Sequence, residues 1–394
     1  MTLRLTGNTI SPEGAEAIAA ALVNRGELQH LLFADIFTGR LKDEIPKAVE
    51  FFNNSLNGAN AKIITLDLSD NAFGPNGAVA VEPWLNSNCC ITLQVLKLNN
   101  TGLGVHGGIM IGRGLENLHQ LALDNGCRLQ MKEFVCGRSR QEIGGTKALA
   151  VAFNKIGTLE CIEMPQNGIL VEGVEALAKC IEQNPGLKKL NINDNTVTEK
   201  GANAIGLALK RCSNLESLDI GDCLIRNKGA ILLAEPLKSL KKLSHLNLSY
   251  NEIHTTGALA IARGNHDCFC LYHYIITLNL AIKHLDVLQK VNLNGNQIGE
   301  NGCEDLIAEM EAAKIKYKLD SLDEDNEPDE SDLEEYSESD DNPGDFEQFR
   351  TNPTHQSFMA LGKGNVVCIY PQLSNVIAFI HYSRVLSCPF STAG

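Results

Sequence analysis

No stretch of about 18 consecutive apolar residues occurs in these 394 residues, so no helix is expected to span a bilayer. The opening Met1-Thr2-Leu3-Arg4-Leu5-Thr6-Gly7 lacks a basic region followed by an apolar one, so no secretory leader is expected. No Gly-x₄-Gly-Lys-Ser/Thr phosphate loop is present. The ten histidines form no paired motif, which argues against a nucleophile–base hydrolase. Basic charge is in deficit, with 34 Lys and Arg against 48 Asp and Glu, a net charge of −14 and a pI near 5.2. Nucleic acid is therefore a poor partner, because phosphate binding needs clustered cations. The cysteines number 13, odd and irregularly spaced, which fits reduced cytosolic thiols better than a disulfide framework. The most local absence is of Lys and Arg between Asp320 and Glu347, a run of 28 residues holding 15 acids.

What is present is a repeat. Leu-x-Leu-x-x-Asn occurs at Leu3-Leu5-Asn8, Leu66-Leu68-Asn71, Leu190-Ile192-Asn195, Leu246-Leu248-Asn251 and Val291-Leu293-Asn296, with softer copies ending on Thr101, Ser139, Asn167 and Cys223. From Ser139 to Asn251 the anchors recur every 28 residues. An apolar helical stretch follows each anchor, such as Gly201-Ala202-Asn203-Ala204-Ile205-Gly206-Leu207-Ala208-Leu209. This is the leucine-rich repeat signature in its long, helix-containing form. The paired leucines alternate into the core from a short strand. The anchor turns inward to satisfy free backbone groups, and the helix covers the other side. Helices are bulkier than strands, so the expected fold is an α/β horseshoe, with parallel strands on the concave face and helices on the convex one. It is expected over residues 1–318 as about ten repeats. An acidic disordered segment at 319–349 and a short tail at 350–394 follow.

Spacing departs from 28 at Ile36 to Asn71 (35 residues), Asn71 to Thr101 (30), Thr101 to Ser139 (38) and Asn251 to Asn296 (45), which predicts inserted loops or lengthened helices. An irregular insertion near 263–280 contains His266, Asp267, Cys268, Cys270 and His273; its Cys-x-Cys spacing does not suit zinc, and no metal site is expected. Cys136 and Cys223 stand at core positions of the repeat. Gly102-Leu103-Gly104-Val105-His106-Gly107 imitates a dinucleotide loop, but the same place in other repeats is also glycine-rich, so these glycines serve the turn. The residue just before each anchor should lie on the rim. That column reads Asp35, Asp70, Asn100, Arg138, Gln166, Asp194, Asp222, Tyr250 and Gly295, mostly polar where a core position would be aliphatic. Its acids suit a basic surface on a partner.

The phrase Phe37-Thr38-Gly39-Arg40-Leu41-Lys42-Asp43-Glu44-Ile45-Pro46, with Leu98-Asn99-Asn100-Thr101 and Cys136-Gly137-Arg138-Ser139, closely resembles the GTPase-activating proteins of the small GTPase Ran. The resemblance covers roughly residues 1–318, and the acidic run follows in the family's order. It implies a protein that is not itself an enzyme. Its partner is Ran in the GTP form, with a Ran-binding protein as a further partner, and GTP and Mg²⁺ are held by the GTPase. It also implies a role in nucleocytoplasmic transport and a cytoplasmic location, including the cytoplasmic face of the nuclear envelope. Asn100 falls on the residue that the family uses beside the catalytic glutamine of the GTPase, which orients the attacking water. Arg40 falls on an arginine that the family requires but does not use as a finger in the nucleotide site. Thr38, Lys42, Asp43 and Glu44 join Asp35, Asp70, Arg138, Gln166, Asp194 and Asp222 as partner-binding candidates. The alternative on this scaffold is a protein-binding module or inhibitor, which would not need the loop Thr38-Gly39-Arg40.

The ends depart from the family's pattern. Residue 1 already stands at a repeat strand, where the family places a capping segment first, so an exposed apolar flank is expected there. Phe346–Gly362 resembles the segment that leads to the animal members' C-terminal domain, through which they attach to the nuclear pore. Asn365–Gly394 is an unrelated apolar tail, too short and interrupted for a membrane anchor. Without the acidic run the net charge is about +1, so the low pI belongs to that segment, whose expected role is solubility and attraction of a basic partner.

Overall fold

A computed structural model describes residues 1–263 and 285–325. Ten three-residue strands alternate with ten helices. The strands are β1 (Thr2–Arg4), β2 (His30–Leu32), β3 (Thr65–Asp67), β4 (Val95–Lys97), β5 (Glu133–Val135), β6 (Cys161–Glu163), β7 (Lys189–Asn191), β8 (Ser217–Asp219), β9 (His245–Asn247) and β10 (Lys290–Asn292). The helices between and after them are α1 (Pro12–Leu22), α2 (Ile45–Gly58), α3 (Gly74–Leu85), α4 (Gly104–Asp124), α5 (Glu142–Ile156), α6 (Val171–Glu182), α7 (Thr198–Leu209), α8 (Arg226–Leu237), α9 (Thr255–Arg263) and α10 (Glu300–Ala312). The strands form one parallel sheet in chain order. Register is set by the first leucine of each repeat: Leu31, Leu66, Leu96, Phe134, Ile162, Leu190, Leu218 and Leu246 lie side by side, all buried. Their flanking residues point away from the core, as the period of two requires. No helix among the described residues is long and apolar enough to cross a membrane.

The anchors do what their chemistry predicts. Asn71 is fully buried; its Oδ1 accepts from the Ile36 N–H at 2.9 Å and the Phe37 N–H at 3.1 Å. Its Nδ2 donates to the carbonyls of Phe33, Leu68 and Ser69 at 2.9, 2.8 and 3.1 Å. Asn195, Asn251 and Asn296 repeat the pattern. In the fourth and fifth repeats hydroxyls replace the amide: Thr101 Oγ1 donates to the Leu98 carbonyl at 2.7 Å and lies 3.1 Å from Ser139 Oγ. Cys136 and Cys223 are buried in the core, as the repeat pattern predicts. Replacing Asn71 by Ala strands two amides and several carbonyls in a dry environment. Each unsatisfied buried group costs about 1–3 kcal/mol, so the variant should lose on the order of 3 kcal/mol in denaturant unfolding. An unchanged midpoint would contradict this account of the anchor.

The irregular spacings have separate causes. The 38-residue unit holds α4, which is 21 residues long against 12 for α6, α7 and α8. Close packing of α4 on α5 depends on Gly112, where a Cβ would come within 2.7 Å of the Ala148 carbonyl carbon. The 35-residue unit holds the loop 37–44 ahead of α2. In the 30-residue unit a 3₁₀ turn, Asn88–Cys90, follows α3. The 45-residue unit leaves the sheet intact, because β9 pairs directly with β10. Residues 264–284 of that unit lie outside the described residues, and with them the cluster His266, Asp267, Cys268, Cys270 and His273, as do residues 326–394 with most of the acidic run and the tail.

The start of the acidic run is packed onto the last repeat rather than separate from it. Leu319 bridges to Val291, Asp320 pairs with Lys290 at 2.7 Å, and Glu324 accepts from the Tyr250 hydroxyl at 2.7 Å. Asp325 is 2% exposed and takes the anchor's place, accepting from the Ile298 N–H at 3.5 Å, as Asn296 accepts from Ile253. A carboxylate lacks the amide's donor, and its Oδ2 is buried without a partner. Burial pushes the Asp325 pKa up to about 6; backbone amides of Ile298, Gly295 and Asn296 oppose the rise and Glu324 reinforces it. A raised carboxyl pKa means that the fold holds the proton more tightly than the unfolded chain does. Its stabilisation is therefore complete below about pH 4 and lost as pH rises through about 6, an effect of up to about 3 kcal/mol. Asp325→Asn should restore the donor and raise hydrogen-exchange protection of the last repeat at pH 7.5, with little change at pH 4.5. Equal protection in both proteins at pH 7.5 would refute it.

Candidate functional site

The rim column shares one backbone conformation. Asp35, Asp70, Asn100, Arg138, Gln166, Asp194, Asp222 and Tyr250 all have positive φ, between 48° and 57°, and Gly7 and Gly295 complete the series at 76° and 69°. Each N–H reaches across to the next repeat: Asp35 to Ser69 O (2.9 Å), Asp70 to Asn99 O (2.8 Å), Asn100 to Gly137 O (2.7 Å), Arg138 to Pro165 O (3.0 Å) and Gln166 to Asn193 O (2.9 Å). The left-handed region costs an ordinary residue about 1–2 kcal/mol, and less for Asp and Asn. The polarity of the column therefore has a backbone cause as well as a surface one. That cause accounts for glycine, aspartate and asparagine. It does not account for Arg138, Gln166 or Tyr250, which hold the same conformation without the same propensity.

The fixed backbone aims the side chains at one another. Asn100 donates through Nδ2 to Asp70 Oδ1 at 3.1 Å. That contact orients the amide and leaves Oδ1 and the second N–H available. Thr101 sits buried behind it, so Asn100 has no anchoring duty of its own. Arg138 donates through Nε to Gln166 Oε1, and Gln166 Nε2 donates to Asp194 Oδ2 at 2.6 Å. Gln166, Asp194 and Asp222 then line a shallow depression of about 530 Å³, with Asn195, Thr196 and Leu224 at its floor and sides.

At the second repeat Thr38 donates to Asp35. Arg40 is turned back onto the first repeat. Its Nη2 donates to the Thr9 carbonyl at 3.3 Å, and its Nε is buried with no partner. The loop itself is tied to the first repeat by the Thr9–Phe37 bridge, and Gly39 turns it at φ 77°. Lys42 and Asp43 are exposed. Glu44 is half-buried, and its carboxylate accepts from the Leu41 N–H at 3.0 Å, which closes the turn ahead of α2. The same turn leaves Leu41 71% exposed at the tip of the loop, an apolar contact that the charged neighbours obscured in the sequence.

The candidates thus form a line rather than a cluster. Asp35 and Asn100 stand two strands apart, on the order of 10 Å at about 4.8 Å per strand, and Asp222 lies four strands further along. Sequence reasoning missed the concave face beside the rim, where Lys97 pairs with Glu133 at 2.7 Å and Lys189 with Glu163 at 2.9 Å. The signal was in the non-leucine positions of the strands, which carry opposite charges in adjacent repeats. No group of three His, Cys, Asp or Glu placed to hold a metal occurs among the described residues.

The family model described as Leucine Rich repeat matches residues 1–19, 59–81, 183–206, 211–234, 239–262 and 284–306, in step with the strands and helices above. Those six stretches carry leucine-rich repeats, and they fall within one parallel sheet of repeating strand–helix units. It is 47% identical over 167 residues to Ran GTPase-activating protein 1 of Xenopus laevis, a match covering 42% of this chain and 29% of the relative. It is 44% identical over 173 residues to Ran GTPase-activating protein of Drosophila melanogaster, covering 44% of this chain and 29% of that one. Ran GTPase-activating protein 1 of Saccharomyces cerevisiae is 32% identical over 177 residues, covering 44% and 42%. Over those stretches the chain is similar in sequence to Ran GTPase-activating proteins. The match spans less than half the length of each of these relatives.

Proposed function

We propose that this chain binds Ran in its GTP form along the strand-exit rim and stimulates GTP hydrolysis there. The observation that carries the reading is Asn100. Its amide is oriented by Asp70, held on a locked backbone and left with an acceptor and a donor toward solvent, in a chain similar in sequence to Ran GTPase-activating proteins. An amide of that kind is complementary to the side chain of a catalytic glutamine. Fixing that glutamine fixes the attacking water without supplying any charge. GTP and Mg²⁺ belong to the partner, and this chain needs no cofactor. Asp35, Asp70, Asp194 and Asp222 give the rim an acidic edge for a basic surface on the GTPase, and Thr38, Lys42, Asp43, Arg138 and Gln166 lie along the same line. The reading places the chain in nucleocytoplasmic transport, on the cytoplasmic side, where a Ran-binding protein can present the GTPase.

Single-turnover hydrolysis of GTP by Ran, with and without this chain, tests the proposal. Acceleration on the order of 10³-fold or more is expected, the scale on which activators of small GTPases work. No acceleration, with binding retained, would leave a protein-binding scaffold as the function.

A further inference from the structure

Two adjacent cysteines outside the rim have no part in that function. Cys89 and Cys90 lie in the 3₁₀ turn after α3, with their sulfurs 4.0 Å apart. Three groups converge on Cys89. Ser87 Oγ is 3.1 Å from its sulfur, Cys90 is at 4.0 Å, and the indole N–H of Trp84, buried without a hydrogen-bond partner, is close enough to favour the thiolate. The Cys90 thiol, then Ser87 and Trp84, hold the Cys89 thiol down at about 7 against the opposing effect of burial. Cys90 keeps its proton correspondingly. Ser87 has one proton, which now goes to the Trp84 carbonyl at 2.6 Å and can turn to the sulfur when Cys89 ionises. The backbone around the pair is fixed, with the Ile63 N–H on Cys89 O at 2.8 Å and the Leu93 N–H on Cys90 O at 2.9 Å. Both side chains are buried, while Asn86 and Asn88 on either side of Ser87 in the same turn are exposed.

We propose that Cys89 and Cys90 form a chelating site for trivalent arsenic. A direct sulfur–sulfur bond fits poorly here. Adjacent Cα atoms across a trans peptide stand about 3.8 Å apart, and ordinary disulfides need about 4.4–6.8 Å. A bridging atom that takes both sulfurs relieves that constraint. With a monosubstituted arsenic(III) oxide, two As–S bonds form, both sulfur-bound protons leave on the oxo oxygen as water, and arsenic stays in the +3 state. Cys89 attacks first as the thiolate, and Cys90 closes the ring. Among the described residues Cys180 and Cys212 also influence one another; both are buried, and burial raises both, Cys212 to about 11.

The chain reports on this site by itself, since its one tryptophan is Trp84. The reduced full-length protein should take up one equivalent of phenylarsine oxide at low micromolar concentration, seen as a single adduct by intact mass spectrometry and mapped to the peptide carrying Cys89 and Cys90. Trp84 fluorescence should be quenched in step with uptake. A small dithiol should reverse both changes, and a monothiol at the same concentration should not. Cys90→Ala should weaken binding about 100-fold, because holding two ligands together multiplies affinity by about 10²–10⁴. Cys180→Ala should bind as the unaltered chain does. No adduct, an adduct mapped elsewhere with fluorescence unchanged, or equal reversal by a monothiol would each overturn the proposal on the unaltered protein, without reliance on the folding of any variant.

Discussion

Asn100→Ala should lower the stimulated rate of GTP hydrolysis by about 10²–10³-fold, the usual cost of removing one positioned hydrogen-bonding group from a reacting centre, with binding of GTP-loaded Ran changed by less than about tenfold. The alanine variant alone is ambiguous. Position 100 sits at φ 53°, a conformation that alanine adopts only at a cost. Asn100→Gly removes that ambiguity, because glycine takes the backbone without strain. If the amide matters, both variants lose activity alike. If only the backbone matters, the glycine variant keeps it. Asp70→Ala provides a graded third case. It leaves the Asn100 amide in place but frees it to rotate, since the 3.1 Å contact is lost, and a loss of about tenfold is expected. Full stimulation by Asn100→Gly would remove Asn100 from the site.

Most of the horseshoe could be read from the residues, for physical reasons. The first leucine of each repeat has to be buried and its neighbours cannot be, so one phrase of six residues sets strand, register and direction for each unit. Thr101 and Ser139 were readable as anchors because a hydroxyl can meet the same carbonyl as an amide. Asp325 was not, because a carboxylate has no donor for that carbonyl, and its place inside an acidic run pointed toward solvent. It is nonetheless buried against the repeat of β10.

The rim was legible as a column but not in its cause. Polarity alone suggested recognition, whereas the dihedral angles show that the chain's geometry already selects Asp, Asn and Gly there. Arg138, Gln166 and Tyr250 are the members whose presence the backbone does not explain; the first two are bonded to each other and on to Asp194, and Tyr250 is bonded to Glu324. Glu44 has a local role that charge patterning alone did not reveal: an acid three residues after the first free amide of a turn closes that turn.

Arg40→Ala should lower stimulated hydrolysis by about 10²-fold or more, through the loop rather than through the transition state. A finger needs a guanidinium free to reach the γ-phosphate. Here one arm of the fork is committed to the Thr9 carbonyl and Nε is buried, so the side chain faces its own protein. Its removal leaves the Thr9–Phe37 bridge in place but takes away the side-chain tie to Thr9, which loosens the rest of the loop and with it Thr38, exposed Leu41, Lys42 and Asp43. A displacement of about 1 Å in such a contact can cost 10²-fold. Three readouts separate the two roles. A positioning arginine, when lost, weakens Ran binding along with the rate, exposes the loop to protease, and is not replaced by lysine, whose point charge cannot reproduce the planar fork. A finger, when lost, lowers only the rate at saturation and leaves loop and affinity as they were. The first pattern is expected for both Arg40→Ala and Arg40→Lys. Unchanged affinity and an intact loop beside a collapsed rate would instead put the guanidinium at the phosphate.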